Sequence, residues 1–414
     1  MGLLSLVSRK EDNHKSEGTN LLYKIAAISL MMSMNKYRSF NFYATLRQTK
    51  NVLDYFKKML ENKLNSPIFA DYDSLKKTVL LKDKHYYYGG YLAALSSYPI
   101  LFKINDKIIF DAILAKTAAI TSIKILDNID DRHYNKSDSV DSQLTHLRAF
   151  TCKSFEMPPA RDFYDRAENS CYEIARWTYK IVDKELPKSS STWKIYLEDF
   201  QRYIDGQLKS MNAKKDLNED RPTIKDYIQK INEKSVGRIW IDIDFCLLEQ
   251  TLGRFTDEEL YVVQNVRKAV DYLFKGCNIY DDVADLEEDL SMDIMNSVVL
   301  LGLDRGHIDE RDLYKDKKKL FVKLKQSGAI DETVLLGDVL FLEGIEPLEK
   351  TKKISGLVDL GALIQNAKIL RAFAIRKWMF HEKSASSLIN TMKSFSNHKY
   401  YKIPECVIKY RSYI

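Results

Sequence analysis

The chain has 414 residues, of which Gly (15) and Pro (8) together make only 23, against a usual combined share of roughly 12%, and so few turn residues exclude the many short connections of a sandwich or barrel. Hydrophobic residues make up 45% of the chain, which is enough for a large core and excludes global disorder. The net charge of +6 hints at an anionic partner, while no apolar run reaches the roughly 18 residues of a transmembrane helix.

The charge is unevenly placed. From residue 361 to 414, ten Lys and Arg stand against Glu382 and Glu405, a local balance of +8, so the first 360 residues are slightly acidic. That argues against a nucleic-acid-coating protein. It leaves a solvated helix, a flap over an anion, or a membrane-surface patch for the basic end. The five cysteines are scattered without a C-x-x-C pair, which indicates neither a zinc site nor a disulfide framework. The first residues lack the charge pattern of a signal peptide and the myristoylation pattern, so the expectation is a cytoplasmic protein.

Taken in chain order, helical periodicity predicts amphipathic helices over 21–34 and 45–63, then an apolar one over 91–102. Residues 113–129 are nearly apolar throughout and predict a helix buried on most sides. Further helices are predicted over 163–184, 193–209, 224–251 and 257–290. Polar breaks fall at 133–142, 157–159, 187–191 and 212–222, none of them long or Gly/Ser-rich enough for a domain linker. The expected fold class is all-α, organised as an N-terminal helical extension (1–75), a helical core (76–330) and a basic C-terminal helical extension (331–414).

Two acidic clusters fall on these helices. The first, Asp127-Asn128-Ile129-Asp130-Asp131, lies at the C-terminal end of the most apolar helix. Asp127 and Asp131 are one turn apart on one face, with Asn128 beside them. A helix C-terminus already carries partial negative charge, so acids there need a compensating cation. In the second cluster, with Asp281 at 0°, Asp285 falls at about 40°, Asn278 at about 60°, Asp289 at about 80° and Asp282 at about 100° on one continuous helix. Ile279, Val283, Leu286 and Leu290 take the opposite side. Such carboxylates repel one another and raise each other's pKa, and divalent cations relieve that. Mg²⁺ prefers a few carboxylates plus water and phosphate oxygens, so two such stripes on facing helices predict a cluster of two or three Mg²⁺ holding a diphosphate. The alternative is that both acid runs are solvated helix faces.

This pair of motifs in an all-α chain resembles the class I isoprenoid synthases. Asp281-Asp282-Val283-Ala284-Asp285 matches the family's D-D-x-x-D form, and Asp127-Asn128-x-x-Asp131 departs from it only at Asn128, which ligates through a neutral carbonyl oxygen. The segment Lys82–Gly90, the run Leu126–Arg132, Leu144-Thr145-His146-Leu147 and the acid run 285–289 are closest to the large-terpene (tetraprenyl-β-curcumene) synthase branch. The resemblance covers roughly residues 82–299. It implies a helical bundle around a central apolar cavity. It also implies a Mg²⁺-dependent lyase that ionises a long-chain prenyl diphosphate to a cyclic or linear terpene. The implied metal ligands are Asp127, Asn128, Asp131, Asp281, Asp282, Asp285 and Asp289, with Asp127, Asp131, Asp281 and Asp285 as the catalytic carboxylates. The absence of a G-G-K-R element and of paired arginines after the first motif, where only Arg132 stands, counts against the runner-up, a polyprenyl diphosphate synthase or other prenyltransferase. A catalytically silent helical partner subunit is the non-enzyme alternative.

The remaining candidates are single residues. Lys234 and Arg238, one turn apart on the predicted helix 224–251, are placed to cap a diphosphate, with a solvated basic face as the alternative. Asn278, Arg132 and His85 are the other expected substrate contacts, although a structural role is as natural for His85 and His146. Phe274, at about 20° on the second-motif wheel, is the candidate for pocket lining and for cation–π stabilisation of a carbocation. Gly89 and Gly90 either let two helices approach closely or break one. The expected partners are the prenyl diphosphate, a membrane surface met through the basic C-terminal region and, as an assembly, a homodimer.

Overall fold

The computed structural model describes residues 29, 31–133, 136–184, 186–187, 189–212, 221–314, 316–352, 356–374 and 403–414. Most of the predicted N-terminal helix over 21–34 and most of the basic C-terminal segment therefore lie outside the described residues. Among the described residues the chain is all-α, without a β-strand. No helix of the described part is long and apolar enough to cross a membrane.

The helices in chain order are α1 (Phe42–Lys63), α2 (Tyr72–Lys77), α3 (Asp83–Ile100), α4 (Asp106–His133), α5 (Lys136–Thr151), α6 (Phe163–Val182), α7 (Ser191–Asn212), α8 (Gly237–Leu252), α9 (Asp257–Ala284), α10 (Leu286–Ser291), α11 (Ser297–Asp304), α12 (Lys317–Gln326), α13 (Ala329–Thr351), α14 (Leu360–Ala374) and the short α15 (Glu405–Ile408). Three consecutive segments were the expectation. The described residues group into two compact units, one within Met1–Gln201, Ile239–Val263 and Ile354–Asn366, the other within Arg202–Arg238, Gln264–Lys353 and Ala367–Ile414.

The first unit is built on α4, which packs against α3, α6 and α1. Its Ile113, Ala115, Ala118, Ile125 and Ile129 are fully buried, as its apolar run predicts. α1 contributes to this core, its Val52, Leu53, Phe56 and Leu60 being no more than 1% exposed. Burying each such side chain contributes about 1.5–3 kcal/mol. α3 runs unbroken through Gly89 and Gly90. A Cβ at Gly89 would collide with Ile120 of α4, and one at Gly90 would come within 2.6 Å of Leu53 of α1. The glycines thus serve close helix approach. The break expected at 133–142 is much shorter, since α5 begins at Lys136.

The second unit gathers the end of α9 with α10–α13 and α15. Tyr280 stacks on Phe341 at 5.6 Å between ring centres and donates to Asp338, which also takes a bidentate pair of bonds from Arg371, both 2.8 Å. The described C-terminal residues are docked here. Val407 and Tyr410 are buried, Tyr410 donates to Asp304, and Arg411 pairs with Glu343 and Glu346.

Candidate functional site

The first acidic motif closes α4 in the first unit. Asp131 is exposed, and Asp127 is half-buried with Lys124 Nζ 3.3 Å from its carboxylate. The basic side chain that a C-terminal acid needs is therefore supplied one turn earlier on the same helix. The side chain of Arg132 lies outside the described residues.

Asn128 has a use that the motif comparison did not reveal. Its Nδ2 donates to the carbonyl of Leu80 at 2.9 Å. That carbonyl follows Val79, whose φ is 62°, a conformation that is a true outlier for a β-branched residue and stores about 1–3 kcal/mol of strain. Leu80 and Leu81 are buried behind it. Asn128 thus fastens the strained turn between α2 and α3, and only an amide can donate there. The Asn in place of Asp is explained by this bond, and ligation by its neutral carbonyl oxygen becomes secondary. Asn128→Asp is expected to destabilise the chain by about 1–3 kcal/mol, the cost of a buried acceptor left without its donor. A urea-unfolding midpoint equal to wild type would sink this assignment.

Asp130, which is not among the expected site residues, is tied to α5. Gln143 Nε2 of α5 donates to it at 2.7 Å. Burial raises its pKa to about 7, and the charges of Asp127 and Glu168 add to the rise. His146, also on α5, is buried against Ser122 and held neutral by burial, its pKa lowered to about 3, so it is a structural histidine. His85 at the start of α3 is half-buried and its Nδ1 has no hydrogen-bond partner. Burial first, then the charges of Lys124, Lys82 and Lys84, lower its pKa to about 4. The imidazole is therefore neutral and feels the charge of three lysines, one of which, Lys124, pairs with Asp127.

The second motif lies in the second unit, and here the single helix expected over 257–290 is interrupted. α9 ends at Ala284, Asp285 adopts φ −100° and ψ 7°, and α10 begins at Leu286. Backbone bonds still bridge the break, from Asp285 N to Asp281 O at 2.8 Å and from Asp289 N to Asp285 O at 2.9 Å, so the carboxylates stay on successive turns. Asp281 is exposed, whereas Asp282, at the edge of the predicted arc, turns inward and accepts the Ser297 N–H at 2.8 Å. Asn296 completes this tie. Its Oδ1 caps α11 through Val298 and Val299, while its Nδ2 donates to the Asp282 carbonyl at 3.1 Å and to Asp289 Oδ2 at 2.9 Å. An Asn-Ser step before the run Val-Val-Leu-Leu is the sequence signal that would have found it.

Burial raises the pKa of Asp282. Burial followed by the charges of Asp282 and Asp285 lifts Asp289 to about 7, against the pull of Asn296 and Lys234. The sign of the stability effect follows. An unfolded Asp titrates near about 3.9, so the stabilisation from proton uptake by folded Asp289 is full below that value and lost as pH rises through about 7. Asp289→Asn is expected to flatten the fall of the urea midpoint between these two pH values in metal-free protein. A fall as steep as that of wild type would contradict it.

Lys234 and Arg238 are separated by a break. The stretch predicted as one helix over 224–251 instead runs as a helical turn at Ile224–Asp226, a π-turn at Tyr227–Ile231 and a 3-10 turn at Asn232–Lys234. Ser235 is extended, at φ −61° and ψ 129°, before α8 starts at Gly237. A Cβ at Gly237 would lie 2.6 Å from the Val270 carbonyl, so α8 begins in close contact with α9 and the chain must turn before it. Lys234 donates to Ser210 at 3.2 Å and its charge acts on Asp282 and Asp289. Arg238 is drawn elsewhere, to Asp271 at 3.0 Å. There it joins Lys275, Glu233 and Arg202 in an ion-pair network that outweighs burial and keeps Asp271 below the usual carboxylate range. Arg238 is therefore placed as a structural cation. Asn278 donates to Asn232 at 2.9 Å, and Phe274 is half-buried against Gly237.

Among the described residues, no three His, Cys, Asp or Glu side chains already converge to hold one ion. The donor chemistry of the second motif nevertheless fits a divalent cation. Six carboxylates stand within residues 281–289, and the repulsion that adds to burial in raising Asp289 is of the kind a bound dication removes. The first motif offers the half-buried Asp127 and the exposed Asp131 as further hard-oxygen donors.

No family model matches the chain, and no curated protein matches it. Solved structures similar to it include a substituted cucumene synthase (11% identity, TM-score 0.44, covering 80% of this chain and 93% of that chain). A geranylgeranyl pyrophosphate synthetase from the archaeon Geoglobus acetivorans has 15% identity and a TM-score of 0.46, covering 78% of this chain and 98% of that one. A linalool/nerolidol synthase from Streptomyces clavuligerus, in complex with 2-fluorogeranyl diphosphate, has 11% identity and a TM-score of 0.41, covering 81% and 98%. At these values the likeness carries no conclusion about activity.

Proposed function

We propose that the chain is a Mg²⁺-dependent class I terpene-synthase-type enzyme that ionises a long-chain prenyl diphosphate. The observation that supports this reading most is the second motif, where Asp282, Asp285 and Asp289 are held close enough for burial and mutual repulsion to raise Asp289 to about 7. A cluster of negative charge that the fold leaves only partly compensated is what a divalent-metal site needs before its metal arrives. The metal ligands in this reading are Asp127 and Asp131, with Asn128 as a weak neutral donor, and Asp281, Asp285 and Asp289. Asp282 supports them by fastening the end of α9 to the start of α11. Lys234 is the diphosphate-facing cation, and His85 beside Lys82, Lys84 and Lys124 is a second anion contact.

When bound, Mg²⁺ supplies the positive charge that makes diphosphate a leaving group. The residues of this chain would hold and orient it, and its charge would favour the deprotonated form of their carboxylates. Phe274 and a central apolar cavity for the hydrocarbon remain part of the proposal.

The test is diphosphate release from geranylgeranyl, farnesylgeranyl and longer prenyl diphosphates in the presence of Mg²⁺, with mass spectrometry of the products. Release without isopentenyl diphosphate, and a hydrocarbon or terpene alcohol as product, is the expected outcome. Products longer than the substrate, formed only with isopentenyl diphosphate, would assign a prenyltransferase. No release from any of them would leave the silent-subunit reading.

A further inference from the structure

Helix α12, Lys317–Gln326, has the sequence Lys-Lys-Lys-Leu-Phe-Val-Lys-Leu-Lys-Gln and carries no acid. With Val322 at 0°, Gln326 and Lys318 fall at about +40° and −40°, Lys319 and Lys325 at about +60° and −60°, and Lys323 at about 100°. Leu320 and Leu324 fall near 160° on either side, and these two are buried. All six residues of the outward arc are exposed, Val322 by 47%. Two of the five lysines meet acids off the helix, Lys317 with Asp293 and Lys323 with Asp312. Lys318 and Lys319 carry the outward charge.

The apolar side chains beside this face are unusual for a solvated helix. Tyr314, three residues before α12, is 61% exposed, and Met292, next to the Asp293 that pairs with Lys317, is 46% exposed. A cavity of about 540 Å³ opens on the same face, lined by Lys318, Lys319, Val322, Lys323 and Gln326 with His307 and Ser327. A small soluble anion would account for the lysines but not for an exposed Val, Tyr and Met among them. An anionic bilayer surface accounts for both, with phosphates meeting the lysines and the apolar side chains reaching the acyl boundary.

We propose that α12, with Tyr314 and Met292, is a docking surface for an anionic lipid bilayer. The surface adjoins the second acidic motif through α10, which packs against α12, but it shares no residue with the expected metal ligands and does not depend on the activity proposed above.

The experiment is co-sedimentation of the full chain with vesicles of phosphatidylcholine alone and with about 30% phosphatidylserine, a composition that gives a negative surface potential. Expected is binding to the anionic vesicles only, lost near about 1 M salt, where the screening length falls to about 3 Å. Lys318→Gln/Lys319→Gln should lower the partition coefficient roughly thirtyfold, at about a factor of five per lysine. Both positions are exposed and Gln is a good helix former, so the variant keeps its fold, checked by circular dichroism. Equal binding to neutral vesicles, wild-type binding by the double variant, or retention on heparin without vesicle binding would each overturn the proposal. Diphosphate release from detergent-dispersed substrate should be the same in both proteins. A lower rate in the variant would place these lysines at the reaction and overturn their docking role.

Discussion

Asp281→Asn should lower Mg²⁺-dependent diphosphate release by a factor on the order of a hundred or more, the usual loss when one charged contact to a developing leaving group is removed. The substitution keeps size and shape and removes one charge. Asp281 is the best position for it, because it is exposed on the last turn of α9 while Asp282 beside it is turned into the Ser297 N–H. The fold of the variant should therefore be intact, with an unchanged urea midpoint, and the loss should appear in the rate. Asp131→Asn, at the exposed end of α4, should behave in the same way in the first motif. Release at the wild-type rate in both variants, measured at saturating Mg²⁺, would remove the acidic motifs from the reaction and with them the proposed function. A thermal upshift of wild type by Mg²⁺ with a diphosphate analogue, absent in Asp281→Asn, would locate the same effect in binding.

The all-α class was legible in the sequence because long helices leave a strong period and few turn residues, and both signals are summed over many positions. The acidic motifs were legible for the same reason, since a wheel places carboxylates relative to one another along a single helix. What the wheel cannot supply is the neighbour. Asn128 reads as a weakened ligand until Leu80, 48 positions away, takes its amide proton. Arg238 reads as the partner of Lys234 until Asp271 and the extended Ser235 draw it aside. Asp130 reads as one more member of a run, yet burial, with the charges of Asp127 and Glu168, raises its pKa against the bond from Gln143. The break at Asp285 escaped the sequence because it leaves the helical hydrogen bonds in place and changes only the dihedral angles of one residue.

Helix α4 shows the same limit at its most apolar part. Residues 113–129 read as nearly apolar throughout, and Lys116 within them is fully buried. Its Nζ pairs with Asp244 of α8, also fully buried, and bonds to Ser96 at 2.9 Å and Ser97 at 3.1 Å. Ser97 in turn donates to Asp244 Oδ1 at 2.7 Å, and Trp240 donates to Ser96 at 2.9 Å while its ring lies 5.3 Å below the ammonium. Burial pushes Lys116 down and Asp244 up, and their mutual attraction opposes both shifts. Removing one partner leaves the other charge in the core, so Lys116→Met or Asp244→Leu alone should destabilise the first unit by about 3–5 kcal/mol. The pair itself need not be stabilising. Two charges taken from water recover their desolvation only through good geometry, and an apolar pair of similar volume is often neutral or better by about 1–4 kcal/mol. Lys116→Met/Asp244→Leu should therefore regain most of what either single variant loses, because Ser96 keeps its bond from Trp240 and only Ser97 is left without a polar partner. Urea unfolding of the three variants decides the point. If the double variant is as unstable as the singles, the pair with its two serines is a net source of stability and the desolvation argument fails for this core. If the double variant recovers, the pair is dispensable to the fold, and its presence must then be explained by the specificity with which it sets α4 against α3 and α8.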